Sequence, residues 1–181
     1  MLAKSNFDDV VAAKQRAARV QLMALDVDGV LTDGRLYYGP LGEAMKVFDV
    51  RDGHGIKMLL THGVEVALLS SRNSEIVSTR ARELGISRVL QGRSDKGTAF
   101  ATLLSDAGIR AENSGFMGDD LPDLPPMRAA GFSVTVANGC DAAQAAAHWI
   151  SPHPGGRGAV RALAEFILSA KGVDVASMVH G

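Results

Sequence analysis

The sequence predicts an α/β fold in which a parallel β-sheet carries helices on both faces. Short apolar runs rich in Val and Leu alternate along the chain with segments that have helical spacing and end at a glycine. Because strands joined by helical crossovers run parallel, this alternation indicates a sheet that is covered on both sides. Of the 181 residues, 46% are hydrophobic, which is enough to bury one good core.

Each element of this alternation can be placed along the chain. The strongest strand predictions are apolar runs bounded by Gly or polar residues, at residues 22–26, 64–69 and 132–136, and weaker ones lie at Arg88–Leu90, Ser114–Met117 and 148–150. Helices are predicted at residues 53–62, 74–84, 96–107, 121–130, 142–147 and 158–171. This order of strands and helices is that of a Rossmann-like sheet.

One segment departs from the alternation directly after the first strand. Residues 34–38 and 43–49 have the composition of two strands, and the Gly- and Pro-containing stretch 39–42 predicts a turn between them. We therefore expect a β-hairpin at about residues 34–49. A hairpin in this position would form a flap over the carboxyl edge of the sheet, which is where ligands bind in open α/β sheets.

Composition and charge restrict the classes of function. Lys and Arg total 19 against 20 Asp and Glu, so the net charge is −1 and no global basic field attracts nucleic acid or an anionic membrane. The single Cys140 excludes an intramolecular disulfide framework, and no apolar stretch approaches the ~20 residues of a membrane span. We expect a cytoplasmic protein in which residues 1–181 form a single domain with a C-terminal tail at about residues 172–181.

The strongest chemical signal is an acidic pair at the end of the first strand. Asp26 and Asp28 are two residues apart, so in extended backbone both side chains face the same way and can serve one site. Gly29 allows a sharp turn, and Thr32 can help to hold the loop. Asp and Gly also favour ordinary turns, so a strand-end turn without chemistry is the alternative.

A second acidic cluster follows the strand predicted at Ser114–Met117. Asp119, Asp120 and Asp123 should emerge at the same sheet edge as the first pair, which brings five carboxylates close together. Such carboxylates repel one another unless a cation or protons intervene. Hard oxygen ligands with room for water suit Mg²⁺ better than Ca²⁺, so the sequence predicts a magnesium site.

Two further polar residues fall at the ends of predicted elements. Lys96 lies at the start of a helix, where its ammonium group can bridge carboxylates or a phosphate, although a lysine in this position is often a solvated surface residue. Ser70 ends the second buried strand. Its hydroxyl can hydrogen-bond a phosphoryl oxygen or can simply belong to a turn.

Taken together, these motifs resemble the four motifs of the haloacid dehalogenase superfamily. The sequence Asp26-Val-Asp28-Gly-Val, then Ser70, Lys96 and the Gly-Asp-Asp-x-x-Asp sequence at residues 118–123 occur in the same order as in that superfamily. The resemblance implies a phosphatase that passes through an aspartyl phosphate. Many members carry a cap domain, but the segments between these motifs leave no room for a domain of ~50 residues, so we expect a capless chain.

The resemblance also implies a role for each motif residue. Asp26 would attack phosphorus as a nucleophile, and Asp28 would act as the general acid and then as the general base. Lys96 would offset charge on the phosphoryl group. The implied Mg²⁺ ligands are Asp26, the backbone carbonyl of Asp28, and Asp119, and the residues implied to support them are Thr32, Asp120 and Asp123.

Within the superfamily, the chain resembles the 3-deoxy-D-manno-octulosonate 8-phosphate phosphatases of lipopolysaccharide sugar synthesis. This resemblance is carried by residues 31–34, 47–57, 69–72, 80, 91–96 and 155–160. It implies a phosphorylated keto-sugar acid as the substrate. The implied substrate-binding residues are Asp28, Asp49, Val50, Arg51, Asp52, Gly53, Lys57, Ser70, Arg72, Arg80 and Lys96. Asp49, Lys57 and Ser71 depart from the residues that are common in the family.

Arginine forks suit a substrate that carries both a phosphate and a carboxylate. Arg51, Arg72, Arg80 and Arg157 are the candidates. Arg80 can instead belong to the solvated face of a helix. The segment Gly155-Gly-Arg157-Gly is either an anion clamp or merely a loop before the last helix, and the sequence leaves both interpretations open.

Other functions remain as alternatives. A phospho-accepting receiver-type signalling domain also combines an α/β sheet with clustered Asp, a Ser or Thr and a Lys, but it lacks the Asp-x-Asp-Gly turn and the acidic cluster at residues 118–123. A scaffold with a dead site is disfavoured because every catalytic side chain is present. Within the enzyme interpretation, the alternative substrate is a nine-carbon keto-sugar acid 9-phosphate.

The hairpin further predicts an oligomer. Leu36 and Tyr38 share one face of its first strand, while Tyr37 makes the opposite face largely apolar as well. Its second strand also has apolar residues on both faces, at Met45, Val47 and Phe48. Since the sheet edge can cover only one side, we expect a partner chain to cover the other. The resemblance implies a homotetramer in which neighbouring chains supply the missing cap.

Overall fold

The computed structural model of the chain describes residues 7–176. Its strands are β1 (Leu22–Leu25), β2 (Tyr37–Gly39), β3 (Gly42–Met45), β4 (Glu65–Leu69), β5 (Arg88–Leu90), β6 (Ser114–Met117), β7 (Phe132–Thr135) and β8 (Trp149–Ile150). Its α-helices are α1 (Phe7–Ala17), α2 (Val50–Thr61), α3 (Glu75–Leu84), α4 (Lys96–Ala107), α5 (Leu124–Ala129), α6 (Asp141–Ala146) and α7 (Ala159–Ala170). Within that range, none of the helices has the length and apolar character needed to cross a membrane.

The main sheet is parallel, as the alternation of strands and helices predicts. Among the described residues it has six strands in the order β5-β4-β1-β6-β7-β8. The central strand β1 is buried along its whole length, which explains why its sequence, Leu-Met-Ala-Leu, is continuously apolar. Because β4 and β6 flank β1, the segments that follow these three strands emerge side by side at one edge of the sheet.

Helices cover both faces of this sheet and form a core on each. On one face, α1, α2, α3 and α7 pack against the sheet, and α7 contributes fully buried side chains such as Leu163 and Ile167. On the other face, α4, α5 and α6 pack around Phe100 and Phe116, whose ring centroids are 5.5 Å apart. Each such large apolar side chain stabilises the fold by about 1.5–3 kcal/mol through its burial. The expected helices on both faces are confirmed.

The structure differs from the sequence prediction at three helices. Helix α1 was not predicted, although Ala13 and Ala17 bury its inner face. Helix α2 begins at Val50 rather than residue 53, because the Asp49 side chain accepts a hydrogen bond from the Arg51 N–H and caps the helix. The single helix predicted at residues 121–130 is instead a 3₁₀ turn (Leu121–Asp123) followed by α5, since the prolines there lack the N–H groups that a continuous helix requires.

The predicted hairpin is present as β2 and β3, which pair antiparallel. Its strands are shorter than expected, since β3 ends at Met45 and residues 46–49 lead directly into α2. The hairpin lies over the carboxyl edge of the main sheet, where Tyr38 accepts a hydrogen bond from Arg72 just after β4. Between β1 and β4 the described elements are this hairpin and α2.

The C-terminal tail proposed at about residues 172–181 is only partly described. Val173 and Val175 pack against the core beside α7, so the first part of the tail belongs to the folded body. Its last part, residues 177–181, lies outside the described residues.

Candidate active site

Side chains from four parts of the chain meet at the carboxyl edge of the sheet. Asp26 follows β1, Asp119 lies two residues beyond β6, and Lys96 begins α4. The Lys96 ammonium lies 2.9 Å from a carboxylate oxygen of Asp26 and 2.6 Å from one of Asp123. Asp26, Lys96 and Asp123 are buried, and Asp119 is partly buried. The first acidic pair, the second acidic cluster and the lysine thus form one site.

The loop after β1 is held by a hydroxyl and shaped by a glycine. Thr32 Oγ1 accepts hydrogen bonds from the N–H groups of Gly29 (3.3 Å) and Gly34 (3.2 Å). Gly29 has a φ of +98°, which disfavours any other residue. A Cβ atom at Gly29 would also overlap the Asp119 carboxylate. The glycine of the Asp-x-Asp-Gly sequence therefore allows the second acidic cluster to approach the first.

The glycine-rich segment before α7 packs against this same loop. The Gly156 N–H donates a hydrogen bond to the Val30 carbonyl at 2.9 Å. A Cβ atom at Gly155 would overlap the loop backbone. Arg157 is exposed, and its carbonyl accepts a hydrogen bond from Arg51 at 3.2 Å. These glycines therefore allow close packing against the loop, and the assignment of Arg157 to the substrate stays a prediction.

Burial and mutual repulsion perturb the titration of the carboxylates. Burial and the nearby Asp123 raise the pKa of Asp26 to about 7, although Lys96 acts in the opposite direction. Burial, Asp123 and Asp120 raise the pKa of Asp119 to about 6. Burial opposes the charge of Lys96, yet Asp26 and Asp123 raise the pKa of its ammonium group. The site therefore carries an excess of negative charge that a cation would relieve.

The donor set at this point fits Mg²⁺. Asp26, Asp119 and Asp123 each offer a carboxylate oxygen, and these atoms lie within 4.8 Å of one another. Asp123 is already engaged, since it contacts Lys96 and accepts hydrogen bonds from the N–H groups of Asp119 (3.1 Å) and Asp120 (3.3 Å). Asp26 and Asp119 are thus the carboxylates that remain for a hard cation.

The two remaining acidic-cluster residues differ in their surroundings. Asp123 contacts Lys96 and is 1% exposed, so it fixes the position of that ammonium group. Asp120 is exposed, and its side chain accepts a hydrogen bond from the Leu121 N–H within its own turn. The lysine is therefore oriented by Asp123 and not by Asp120.

Ser70 and Arg72 lie directly beside the acidic pair. The buried Ser70 hydroxyl accepts a hydrogen bond from the Arg72 N–H at 3.1 Å. The Arg72 Nε atom lies 3.9 Å from Asp28 Oδ2. Arg72 Nε and Asp28 Oδ2 are both buried, and neither has a hydrogen-bond partner within residues 7–176. Buried polar atoms are normally paired, so this gap is a suitable place for polar groups of a ligand.

Two charged residues that enter the site, Glu43 in the hairpin and Lys46 directly after it, were not among the predicted site residues. Lys46 donates a hydrogen bond to Asp28 and lies 3.0 Å from Glu43. Glu43 also accepts hydrogen bonds from Arg72 (3.3 Å) and Ser74 (2.6 Å). The available signal was a Glu and a Lys three residues apart in an otherwise apolar strand. It was overlooked because the hairpin was interpreted through its apolar residues alone.

The other expected substrate residues form a second group around the start of α2. Asp49 pairs with Arg51 at 2.7 Å, and the guanidinium group of Arg80 lies over the ring of Phe48. A Cβ atom at Gly53 would overlap that guanidinium group, so glycine makes room for Arg80. Asp49 thus contacts Arg51, and Arg80 contacts Phe48 and Gly53, while none of them is recorded in contact with Asp26 or Lys96 among the described residues.

Three residues of this second group have other surroundings. The Asp52 carboxylate is buried and accepts hydrogen bonds from the N–H groups of Gly158 (3.1 Å) and Arg161 (2.8 Å), which ties α2 to the start of α7. Val50 and Lys57 are exposed on α2. Their assignment to the substrate therefore stays a prediction.

Comparison with known proteins identifies the family. A family model of haloacid dehalogenase-like hydrolases matches residues 66–163. The 3-deoxy-D-manno-octulosonate 8-phosphate phosphatases of Yersinia pestis and Escherichia coli K12 are each 43% identical over 164 residues, which covers 91% of this chain and 86% of theirs. This chain belongs to the 3-deoxy-D-manno-octulosonate 8-phosphate phosphatase family of haloacid dehalogenase-like hydrolases.

The fold supports the same family. A crystal structure of the Moraxella catarrhalis member, in complex with a magnesium ion, a phosphate ion and a KDO molecule, superposes with a TM-score of 0.88. The two chains are 41% identical, and the match covers 92% of this chain and 94% of that one. The superfamily resemblance inferred from the four motifs is thus confirmed, and the receiver-type alternative is set aside.

Proposed function

We propose that the chain is a Mg²⁺-dependent phosphatase that hydrolyses 3-deoxy-D-manno-octulosonate 8-phosphate, in lipopolysaccharide sugar synthesis, through a phosphorylated Asp26. The observation that carries this proposal is the buried pair of Asp26 and Lys96 beside Asp119, in a chain that is 43% identical to phosphatases of that name. A nucleophilic carboxylate next to fixed positive charge suits phosphoryl transfer, in which positioning and charge stabilisation dominate.

In the first step, a carboxylate oxygen of Asp26 attacks phosphorus, and the bond between phosphorus and the sugar oxygen breaks. Asp28 gives its proton to the departing oxygen, so the sugar leaves as an alcohol. Lys96 holds the Asp26 carboxylate at 2.9 Å and adds positive charge beside the phosphoryl group. When bound by Asp26, Asp119 and the Asp28 carbonyl, Mg²⁺ would keep Asp26 ionised and neutralise phosphoryl charge.

In the second step, water attacks the phosphorus of the aspartyl phosphate. The Asp28 carboxylate takes the proton of that water, and the bond between phosphorus and Asp26 breaks. Inorganic phosphate leaves, and both carboxyl groups return to their starting states. The Ser70 hydroxyl, which follows β4 and accepts a hydrogen bond from the Arg72 N–H, would hydrogen-bond a phosphoryl oxygen.

Arg72 is the cation best placed to recognise the sugar acid. Its Nε atom lacks a hydrogen-bond partner among the described residues and faces the acidic pair. Arg80, with Asp49 and Arg51, would contact more distant parts of the same substrate. Guanidinium groups suit the carboxylate of a keto-sugar acid because they can form two parallel hydrogen bonds.

Steady-state release of phosphate from a panel of esters tests this function. We expect the eight-carbon keto-sugar acid phosphate to be preferred over its nine-carbon analogue and over glycerol phosphate. Arg72→Ala should lower kcat/KM for the keto-sugar acid by about 10–100-fold, because a charge-assisted contact is lost, and should change glycerol phosphate turnover much less. The exposed, distant Arg110→Ala serves as the matched control. Equal losses on both esters would contradict substrate recognition by Arg72.

We also propose that the working form is a homotetramer in which the hairpins cover one another's sites. The hairpin carries several exposed apolar side chains: Met45 is 48% and Val47 is 49% exposed, and Leu36, Tyr38 and Leu41 are exposed as well. Phe48 instead packs against the core, and the Tyr38 hydroxyl accepts a hydrogen bond from Arg72. Exposed apolar side chains gathered in one segment are typical of a protein interface, and closure there would shield the phosphoryl group from water.

The assembly is tested with Met45→Asp/Val47→Asp, which places two charges among these exposed apolar side chains. We expect light scattering to report dissociation and kcat/KM to fall by about 10-fold or more, because the site loses its cover. Val11→Asp, which adds one charge to an exposed apolar position of α1, is the control. A variant that is monomeric yet fully active would show that capping by neighbouring chains is wrong.

A further inference from the structure

We propose that Lys46 positions the Asp28 carboxylate for the two proton transfers of the reaction, so that the hairpin completes the catalytic machinery of its own chain. This inference rests on the proposed function. It concerns a residue outside the four motifs, on a segment that sequence analysis interpreted only as an apolar flap. Lys46 acts through Asp28 and is therefore a positioning residue.

Burial and pairing distinguish Lys46 from a surface lysine. Its side chain is 1% exposed, although lysine is almost never fully buried unless it is paired. Its ammonium group contacts Asp28 and lies 3.0 Å from Glu43. The chain therefore places a desolvated cation beside the carboxylate that is expected to carry protons.

The two oxygens of Asp28 have different surroundings. Oδ1 accepts the hydrogen bond from Lys46. Oδ2 is buried without a hydrogen-bond partner among residues 7–176, and it faces the Arg72 side chain. Lys46 thus holds one oxygen in place and leaves the other available to give a proton to the departing sugar oxygen and to take one from water.

Lys46 is itself held in position from the edge of the sheet. Glu43 accepts hydrogen bonds from Ser74 at 2.6 Å and from Arg72 at 3.3 Å, and both donors follow β4. Its carboxylate is therefore fixed, and it fixes the lysine through the ion pair. Three charged groups on the hairpin and on the segment after β4 thereby determine where the Asp28 carboxylate points.

Lys96 does not position the Asp28 carboxylate. Its ammonium group pairs with Asp26 and Asp123. The two buried lysines thus serve different carboxylates: Lys96 serves the nucleophile, and Lys46 serves the acid and base. Loss of Lys46 should therefore damage proton transfer while leaving the attack of Asp26 on phosphorus largely intact.

The test compares two esters that differ in their need for a proton. Departure of p-nitrophenolate needs no protonation, whereas departure of the sugar alkoxide does. In rapid-quench single turnovers, we expect Lys46→Met to slow phosphorylation of the enzyme by 3-deoxy-D-manno-octulosonate 8-phosphate by about 10–100-fold, a part of the ~10²–10⁴-fold that a general acid contributes. Phosphorylation by p-nitrophenyl phosphate should change less than about 3-fold, and the phosphoenzyme should then accumulate because its hydrolysis also needs Asp28.

Three further variants make the result specific. Lys46→Arg, which keeps the charge, should recover part of the lost rate, and the exposed Lys14→Met should behave like the unmodified chain. Glu43→Gln should also slow phosphorylation by the sugar phosphate more than phosphorylation by p-nitrophenyl phosphate. The slowing should be smaller, about 3–10-fold, because Lys46 loses only one anionic partner. This variant decides the matter if circular dichroism shows that Lys46→Met does not fold.

The possible results separate the positioning role from a merely structural one. Equal slowing on both esters, or no slowing on either, would overturn the proposal for Lys46 while leaving the phosphatase function standing. An unmodified chain that accepts no phosphoryl group from either ester would overturn the proposed function itself.

Discussion

Replacing Asp26 by Asn should abolish phosphatase activity, lowering kcat by at least about 10⁴-fold. No other side chain in the described site is placed to accept the phosphoryl group in its stead, and losses of this size are typical when a catalytic nucleophile is removed. The fold should survive, because Asn has nearly the same shape and the buried Asp26 carboxylate is itself under repulsion from Asp123.

Steady-state kinetics and circular dichroism on the same preparation measure the activity and the fold of Asp26→Asn. Asp106→Asn, at an exposed position of α4, is the matched control and should keep full activity. If Asp26→Asn is folded and retains substantial turnover, Asp26 is not the nucleophile. If it is inactive because it is unfolded, the spectrum will reveal it, and Asp26→Glu then provides the second test.

Removal of divalent metal should have an effect of similar size. EDTA should stop turnover, and Mg²⁺ should restore it, because the carboxylates of Asp26 and Asp119 otherwise lie close together with no divalent cation between them. Ca²⁺ should restore little, since its larger and looser coordination suits this small set of oxygen ligands poorly. Full activity after complete metal removal, verified by elemental analysis, would contradict the metal site.

The metal-free protein should also lose stability as the pH rises. The folded-state pKa values of Asp26 and Asp119, about 7 and about 6, lie above the ordinary value of 3.8. The folded chain therefore binds these protons more tightly than the unfolded chain. The stabilisation that this binding adds to the free energy of unfolding is fully present below about pH 4 and is lost as the pH rises through about 6 and 7. Urea unfolding at a series of pH values, with and without Mg²⁺, measures the free energy of unfolding. In Asp26→Asn this free energy should depend less steeply on pH.

Much of the fold and the centre of the site could be predicted from the sequence. The buried strands lie where continuous apolar runs occur, because a central parallel strand such as β1 is covered on both faces. Asp26, Lys96 and the cluster at residues 118–123 come together because parallel strands place their carboxyl ends at one edge. For these residues, the positions of the apolar strands and the rule that parallel strands end at one edge were sufficient to predict the site.

The parts that escaped prediction depend on contacts between distant segments. Lys46 approaches Asp28 only through the path of the hairpin, which no local pattern encodes. Asp52 accepts hydrogen bonds from the start of α7, and Gly155 packs against the loop after β1, and neither contact can be read from the local sequence. Helix α1 was missed because charged residues interrupt its apolar positions. For Lys46, Asp52 and Gly155 the deciding contact is made with a separate segment of the chain.

The most direct test of the account is to trap the phosphorylated enzyme and locate the phosphoryl group. The unmodified chain, mixed with Mg²⁺ and 3-deoxy-D-manno-octulosonate 8-phosphate and quenched in acid within one turnover, should carry a phosphoryl group, and Asp28→Asn should accumulate one phosphoryl group per chain from p-nitrophenyl phosphate, whose leaving group needs no proton. Mass spectrometry of its peptides should place this group on Asp26, and a longer incubation of the unmodified chain should remove it as phosphate is released. Phosphate release with no such intermediate, or a phosphoryl group on any other residue, would contradict the account.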